Sequence, residues 1–381
     1  MDPRATVEAM LRPDLRGRTA YGAPQLDVLV ALNTNESSYA VPRVVVEAVT
    51  AAVAASAPGL NRYPDREFTE LRESLAAYLS RSGTILEQDW IWAGNGSNEV
   101  LLHLLQAFGG PGRTALGFTP AYSMHPIITT TTGTTWGDGT RGVPGRGAFD
   151  LDVHSAVAQV RRHRPDVVFL CSPNNPTGTA LDLEVVLAVH DAAQGALVVV
   201  DEAYAEFARP GTSSALTLLS GRPRLVVTRT MSKAFAMAGA RLGYLAADPA
   251  VVDALRLVRL PYHLSTQTQA VARAALEHAD LMLETVDAIK AQRDRIVREV
   301  SALGLDPVPS DANFVLFGGL ADSHATWSAL LDTGVLVRDV GIEHYLRVTA
   351  GTPEETTAFL AALADLAPTH RLTTDHAGDA P

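Results

Sequence analysis

Lys233 is one of only two lysines in a chain with 31 basic residues, the other being Lys290. In a sequence that otherwise prefers arginine, a retained amine invites a chemical reading. An amine can lose its proton, attack a carbonyl and form a Schiff base, which a guanidinium cannot do. Thr228, Thr230 and Ser232 offer hydroxyls beside it, and Arg241 lies two turns on. On this stretch alone, a surface lysine on a helix is the competing reading.

Three other stretches carry chemistry. In AGNGSNEVLLHLL (93–105) a Gly-Asn-Gly turn leads into a helix starting near Ser97, whose unpaired amides and positive dipole end suit an anion such as phosphate. A plain N-capped core helix fits the same letters. SPNNPTG (172–178) follows the apolar run DVVFLC and belongs at a strand's C-terminal end, where open α/β sheets bind ligands; Asn174 and Asn175 also suit a turn without chemistry. In DEAYAEF (201–207) an acid directly follows ALVVV. Its desolvation is costly unless it meets a cation, so Asp201 and Tyr204 are directed at a ligand, while Glu202 and Glu206 read as solvent-facing or structural. A phosphate cradle, an acid for a ring cation and an amine for an aldehyde are the three handles of pyridoxal 5′-phosphate. The eleven histidines show no HExxH or similar spacing, so no metal is expected, and His125 and His163 read as surface or packing residues.

Elements that could position these groups are visible in the pattern. DWIWAG, TALGF, DVVFLCS, ALVVVDEAY, RLVVTRT and RLGYLAAD read as strands, with EVLLHLLQAF, LDVHSAVAQVRRH and LEVVLAVHDAA as intervening helices. That alternation predicts an α/β fold with a mostly parallel sheet covered by helices. VPRVVVEAVTAAVAAS and FTELRESLAAYLSRS precede it as helices, after a polar arm to about residue 30. The Thr- and Gly-rich region 123–150 reads as strand and loop. A long helix is expected over about 265–303, then short strands at NFVLFG, VLVRDV and YLRVTAG and a last helix PEETTAFLAALADLA. The domain reading is therefore an N-terminal arm with part of a small domain (1–45), a large cofactor-binding domain (46–265), an α+β small domain (266–368) and a disordered tail (369–381).

Composition narrows the function classes. At 381 residues and 47% hydrophobic, the chain buries a sizeable core in about two domains. A formal net charge of −11 argues against nucleic acid or anionic lipid as the main partner. No apolar run reaches signal-peptide or membrane-spanning length, so the expected location is cytoplasmic. A single cysteine, Cys171, excludes an intrachain disulfide and reads as a buried strand-end thiol.

SPNNPTG, DEAYAEF and the run from TMSKAF to Arg241, in this order, resemble the fold type I pyridoxal-phosphate-dependent aminotransferases of classes I and II. RYPD (62–65), NGSNE and YLRVTAGTPEE (345–355) resemble the histidinol-phosphate aminotransferase family more narrowly. AYGAP, LLQAFGGPGR, YSMHPI, VTRTMSKAF, LPYHLS and SDANFVLFG are similar to its actinobacterial branch. The resemblance spans nearly the whole chain apart from the two tails and 129–150.

It implies that Lys233 carries the cofactor and, once displaced, moves a proton between Cα and the cofactor. Asp201 would pair with the pyridinium nitrogen, Asn175 and Tyr204 with the phenolic oxygen, and Tyr122 would stack on the ring. Ser97, Asn98, Thr230, Ser232 and Arg241 would hold the phosphate, with Tyr63 donated by a neighbouring subunit, so a homodimer with shared sites is implied. Arg347 would grip the α-carboxylate of glutamate, and Tyr21, Asn98, Tyr262 and Arg338 would meet the substrate's phosphate or imidazole. The implied reaction is transamination between L-histidinol phosphate and 2-oxoglutarate. Aromatic 2-oxo acids as substrates, decarboxylation of a phosphorylated amino acid, and a pyridoxal-phosphate-binding regulator are the other readings. One departure stands out: many relatives carry NENP where this chain reads NESS (35–38), which puts the lid over the substrate and the substrate range in question.

Overall fold

The structure, a computed structural model, describes residues 2–20, 22–142 and 149–372. In chain order it contains α1 (Pro3–Met10), β1 (Val30–Ala31), α2 (Arg43–Ser56), α3 (Thr69–Ser80), β2 (Ile91–Gly94), α4 (Ser97–Phe108), β3 (Thr114–Thr119), α5 (Met124–Thr131) and β4 (Thr135–Thr140). Next come α6 (Val153–His163), β5 (Val167–Cys171), α7 (Leu183–Ala192), β6 (Leu197–Asp201), β7 (Leu225–Thr230), β8 (Gly243–Ala247), α8 (Pro249–Arg256) and α9 (Thr266–Glu277). The chain continues through α10 (Ala279–Ala302), β9 (Asp306–Pro307), β10 (Phe314–Gly318), α11 (Ser323–Asp332), β11 (Val335–Leu336), β12 (Leu346–Thr349) and α12 (Pro353–His370).

Among the described residues, seven strands form the main sheet in the order β2-β8-β7-β6-β5-β3-β4, parallel throughout except for β8, which runs against both neighbours. The sequences VVFLC, LVVVD and LVVTRT contain no alternation because both faces are covered; every residue of β5, β6 and β7 is buried. Their register sets the level of the site, with Cys171 opposite Asp201 and Asp201 opposite Thr228. The loops that follow, SPNNPTG, DEAYAEF and TMSKAF, therefore leave the sheet at one edge. β10 sits between β9 and β12 in a separate antiparallel sheet, and β1 pairs in parallel with β11. Buried Arg293 of α10 ties the two parts together, donating to Phe207 O (2.6 Å) and Ala312 O (3.3 Å). Arg209 adds a forked pair to Asp311.

Three expectations need correction. The 123–150 region holds the helix α5 before strand β4. Its hydroxyls bond back along the chain, Thr130 to Pro126 O and Thr131 to Ile128 O, while His125, Ile128 and Thr129 bury inward; local side-chain bonds of this kind hide a helix from propensity. Residues 143–148 lie outside the described residues. The helix expected over 265–303 is two, divided at His278, whose backbone (φ −111°, ψ 26°) is not helical. The last helix runs on to His370, and Arg371 bridges to Leu320, so residues 369–372 are not a disordered tail. The remainder of that expectation, 373–381, lies outside the described residues.

Gly243 opens β8 opposite Gly94. A Cβ there would collide with the Ser97 amide nitrogen and the Gly96 carbonyl carbon, so the turn before α4 lies directly on the strand. Gly243→Ala should therefore destabilise the fold by about 1–3 kcal/mol. Urea denaturation reads this, and unchanged stability would show that the turn is not held against β8.

Candidate active site

At the shared edge of β5, β6 and β7 lie two adjoining cavities of about 300 and 270 Å³. Tyr122, Asn175, Tyr204 and Lys233 line both. The first also takes Ser97, Asn98, Asp201, Thr230, Ser232 and Arg241, and the second takes Asn33, Arg338 and Arg347. Lys233 thus stands between a compartment with one arginine and a compartment with two.

The first compartment has the parts of an anion cradle. α4 begins after Gly96 with no side-chain cap, so its first-turn amides are left for a ligand. Gly96 has φ +85°, and a Cβ on it would strike the Arg241 guanidinium, which packs beneath the turn. Thr230 Oγ1 donates to Ser232 Oγ (3.0 Å), leaving the Ser232 proton free to turn toward the cavity.

Asp201 is 2% exposed. Thr228 Oγ1 donates to its Oδ1 (3.0 Å), and His125 Nε2 lies 3.0 Å from its Oδ2. His125 is stacked on Phe169 (4.7 Å between ring centres) and meets Tyr122 edge-on. The Tyr204 hydroxyl accepts from Asn35 Nδ2 (3.0 Å) and Asn175 Nδ2 (3.3 Å). Its own proton is therefore available to a partner in the cavity, and burial pushes its pKa up to about 12. Tyr122 donates to Asn98 Oδ1 (3.2 Å).

In the second compartment Arg347 is held on β12, donating from Nη1 to Asn175 Oδ1 (2.6 Å) and from Nη2 to Asn33 O (2.8 Å). Arg338 is joined to it by a two-way backbone bridge. These residues fit pyridoxal phosphate: an anion cradle, a buried carboxylate, a hydroxyl with a proton to give and an amine surround one cavity of suitable size.

A family model for aminotransferases of class I and II matches residues 27–363. The chain is 61% identical over 355 residues to a histidinol-phosphate aminotransferase of Paenarthrobacter aurescens (strain TC1), covering 93% of this chain and 94% of that protein. It is 61% identical over 359 residues to another of Frankia casuarinae, covering 93% and 89%. Its fold matches the crystal structure of histidinol-phosphate aminotransferase from Sinorhizobium meliloti in complex with pyridoxal-5′-phosphate, with a TM-score of 0.81 at 24% identity, covering 94% of this chain and 98% of that one. The chain belongs to the histidinol-phosphate aminotransferase family.

Within this aminotransferase family member, most of the residues singled out in the sequence line the two cavities, and some do not. Tyr63 and Tyr262 line neither; they stack on each other (4.4 Å, 11°) and Tyr63 is 80% exposed. Tyr21 lies outside the described residues. Thr228 serves Asp201 and not the anion cradle, because its hydroxyl is on the sheet edge beside that carboxylate. Of the two roles open to Glu202 and Glu206, the structure shows the structural one: Glu202 is buried and the Glu206 side chain nearly so, both paired to Arg229. His125 is more than a packing residue. Nothing in the local sequence points to its partner, Asp201.

Lys233 Nζ donates to Thr34 O (3.3 Å). Burial, then the nearby Arg347, lowers its pKa to about 8. A lysine is reactive only when neutral, so attachment of pyridoxal phosphate to the apoprotein, trapped with borohydride, should rise about tenfold from pH 7 to 9 and level off above a midpoint near 8. An ordinary lysine would keep rising beyond pH 9. Lys233→Ala should abolish the adduct, and trapping at Lys290 instead would overturn the assignment.

Proposed function

We propose that this aminotransferase uses pyridoxal 5′-phosphate to move the amino group between L-histidinol phosphate and 2-oxoglutarate, forming imidazole-acetol phosphate and L-glutamate. The carrying observation is the placement of one low-pKa amine between an anion cradle and an arginine pair. When bound, the cofactor supplies an electron sink for the bond being broken at the substrate's Cα.

The chain's own residues divide the rest of the work. The α4 amides at Ser97 and Asn98, with Thr230, Ser232 and Arg241, hold the cofactor's phosphate. Asp201 keeps a positive charge at the ring nitrogen, and His125 and Thr228 fix the carboxylate that does so. Tyr204 and Asn175 donate to the ring oxygen, and Tyr122 covers the ring. Lys233 Nζ would take the proton lost from the substrate's Cα and pass it to the cofactor carbon that carried the aldehyde, a task suited to a pKa close to working pH.

Arg347 presents a fork already oriented by Asn175 and Asn33, which favours a two-point grip on a carboxylate. Arg338 supplies the second cation, for the side-chain carboxylate of glutamate or the phosphate of histidinol phosphate. The exposed Tyr63–Tyr262 stack supports a homodimer in which these aromatics complete the neighbour's site. Among the described residues no helix is long and apolar enough to cross a membrane, and we place the enzyme in the cytoplasm.

Two measurements test the reading. With 2-oxoglutarate as acceptor, kcat/KM for L-histidinol phosphate should exceed that for phenylalanine, and a wide preference for phenylalanine would sink it in favour of an aromatic aminotransferase. Arg347→Ala should lower kcat/KM for glutamate by about 10- to 150-fold, the worth of a charged hydrogen-bonded contact; a wild-type value would remove Arg347 from carboxylate recognition.

A further inference from the structure

Beneath the site, on the far face of the main sheet, lies a buried polar cluster that the reaction does not use. Along β7 the side chains alternate: Thr228 and Thr230 face the site, and Arg229 between them faces away. Arg229 donates to Glu202 Oε2 from Nε (3.0 Å) and Nη2 (2.7 Å), and to Glu206 Oε1 from Nη1 (2.8 Å). Glu202 also accepts from Ser214 Oγ (2.7 Å) and Ala215 N (2.6 Å), and Glu206 from Tyr78 Oη (3.2 Å). The Tyr78 ring in turn packs edge-on against Phe235 (5.2 Å), two residues past Lys233.

This arrangement is poorly explained as a source of stability. Two carboxylates meet one guanidinium in a buried space, and such groups often contribute less than apolar residues of similar size. The Tyr244 hydroxyl, opposite Arg229 in register, is buried with no hydrogen-bond partner among the described residues. What the cluster does fix is geometry. Glu202 is the neighbour of Asp201, and Glu206 lies two residues past Tyr204, so the loop carrying both site residues is pinned at its two ends to the strand that leads to Lys233.

We propose that Arg229, Glu202 and Glu206 are positioning residues that set Asp201, Tyr204 and Lys233 in register for the cofactor. The clamp acts from below: Arg229 touches neither cavity, yet each group it holds is one or two residues from one that lines them. This rests on the assignment of those three residues to pyridoxal phosphate.

The test uses holoenzyme variants Glu206→Gln, Arg229→Lys and Tyr78→Phe, the last a single-hydroxyl change expected to fold. Their kcat, their melting temperature and the pH midpoint of the bound cofactor's visible absorption are compared with wild type. Loosening Tyr204 should raise that midpoint and lower kcat, on the order of 10- to 100-fold for Glu206→Gln and less for Tyr78→Phe, with KM for glutamate nearly unchanged. Because Glu206 acts through Tyr204, the double variant Glu206→Gln/Tyr204→Phe should show the midpoint of Tyr204→Phe alone. Additive shifts overturn the proposal. So do variants that melt earlier yet keep the wild-type midpoint and kcat, since the cluster would then be structural only. If Glu206→Gln and Arg229→Lys do not fold, Tyr78→Phe decides between the same two outcomes. Failure of the underlying assignment looks different: wild type itself would then show no lysine-bound cofactor band to titrate.

Discussion

Everything in this site depends on the register of three parallel strands. β5 and β6 end level at Cys171 and Asp201, with Thr228 in the same row of β7, which runs two residues further to Thr230. A slip of one residue would turn every side chain on a strand to the opposite face. Asp201 and Thr228 would then lose each other, and Arg229 would point its charge into the cavity. Dense apolar packing on both faces is what prevents the slip, so a hydrophobic core secures a polar site.

Charge is concentrated against the overall trend. A chain with a net charge of −11 gathers Lys233, Arg241, Arg338 and Arg347 around two joined cavities. The arginines are spread around the amine, and Arg347 and Arg241 both lower its pKa. The same cations that attract anionic ligands therefore also add to burial in bringing the amine's loss of its proton closer to neutral pH. Glu36 at the first cavity opposes them, its carboxylate held by the Thr34 hydroxyl (2.8 Å).

The strands of the main sheet were legible because unbroken Val, Leu and Ile runs have one stable use at this spacing, a doubly covered parallel sheet. The chemical letters were legible where they follow such a run directly, as Asp201 follows ALVVV. Groups brought in from a distance were not. His125 lies 76 residues from the carboxylate it touches, on a helix hidden by threonines that satisfy themselves locally. For Glu202 and Glu206 the choice between a solvent-facing and a structural role stayed open, because an acid's partner across a sheet leaves no local mark. Tyr63 and Tyr262, nearly two hundred residues apart, meet only in three dimensions.

The two cavities share a single amine and are small. The arginine compartment, at about 270 Å³, has room for one substrate, so donor and acceptor must occupy it in turn. Each excludes the other, and an excess of either one obstructs its counterpart. In the proposed reaction the same pair of cations would accept a dicarboxylic acid and an imidazole-bearing phosphate ester alternately. The first carries two negative groups and the second only one, so anionic charge is what they have in common at these cations, and the rest of each molecule is left comparatively unread.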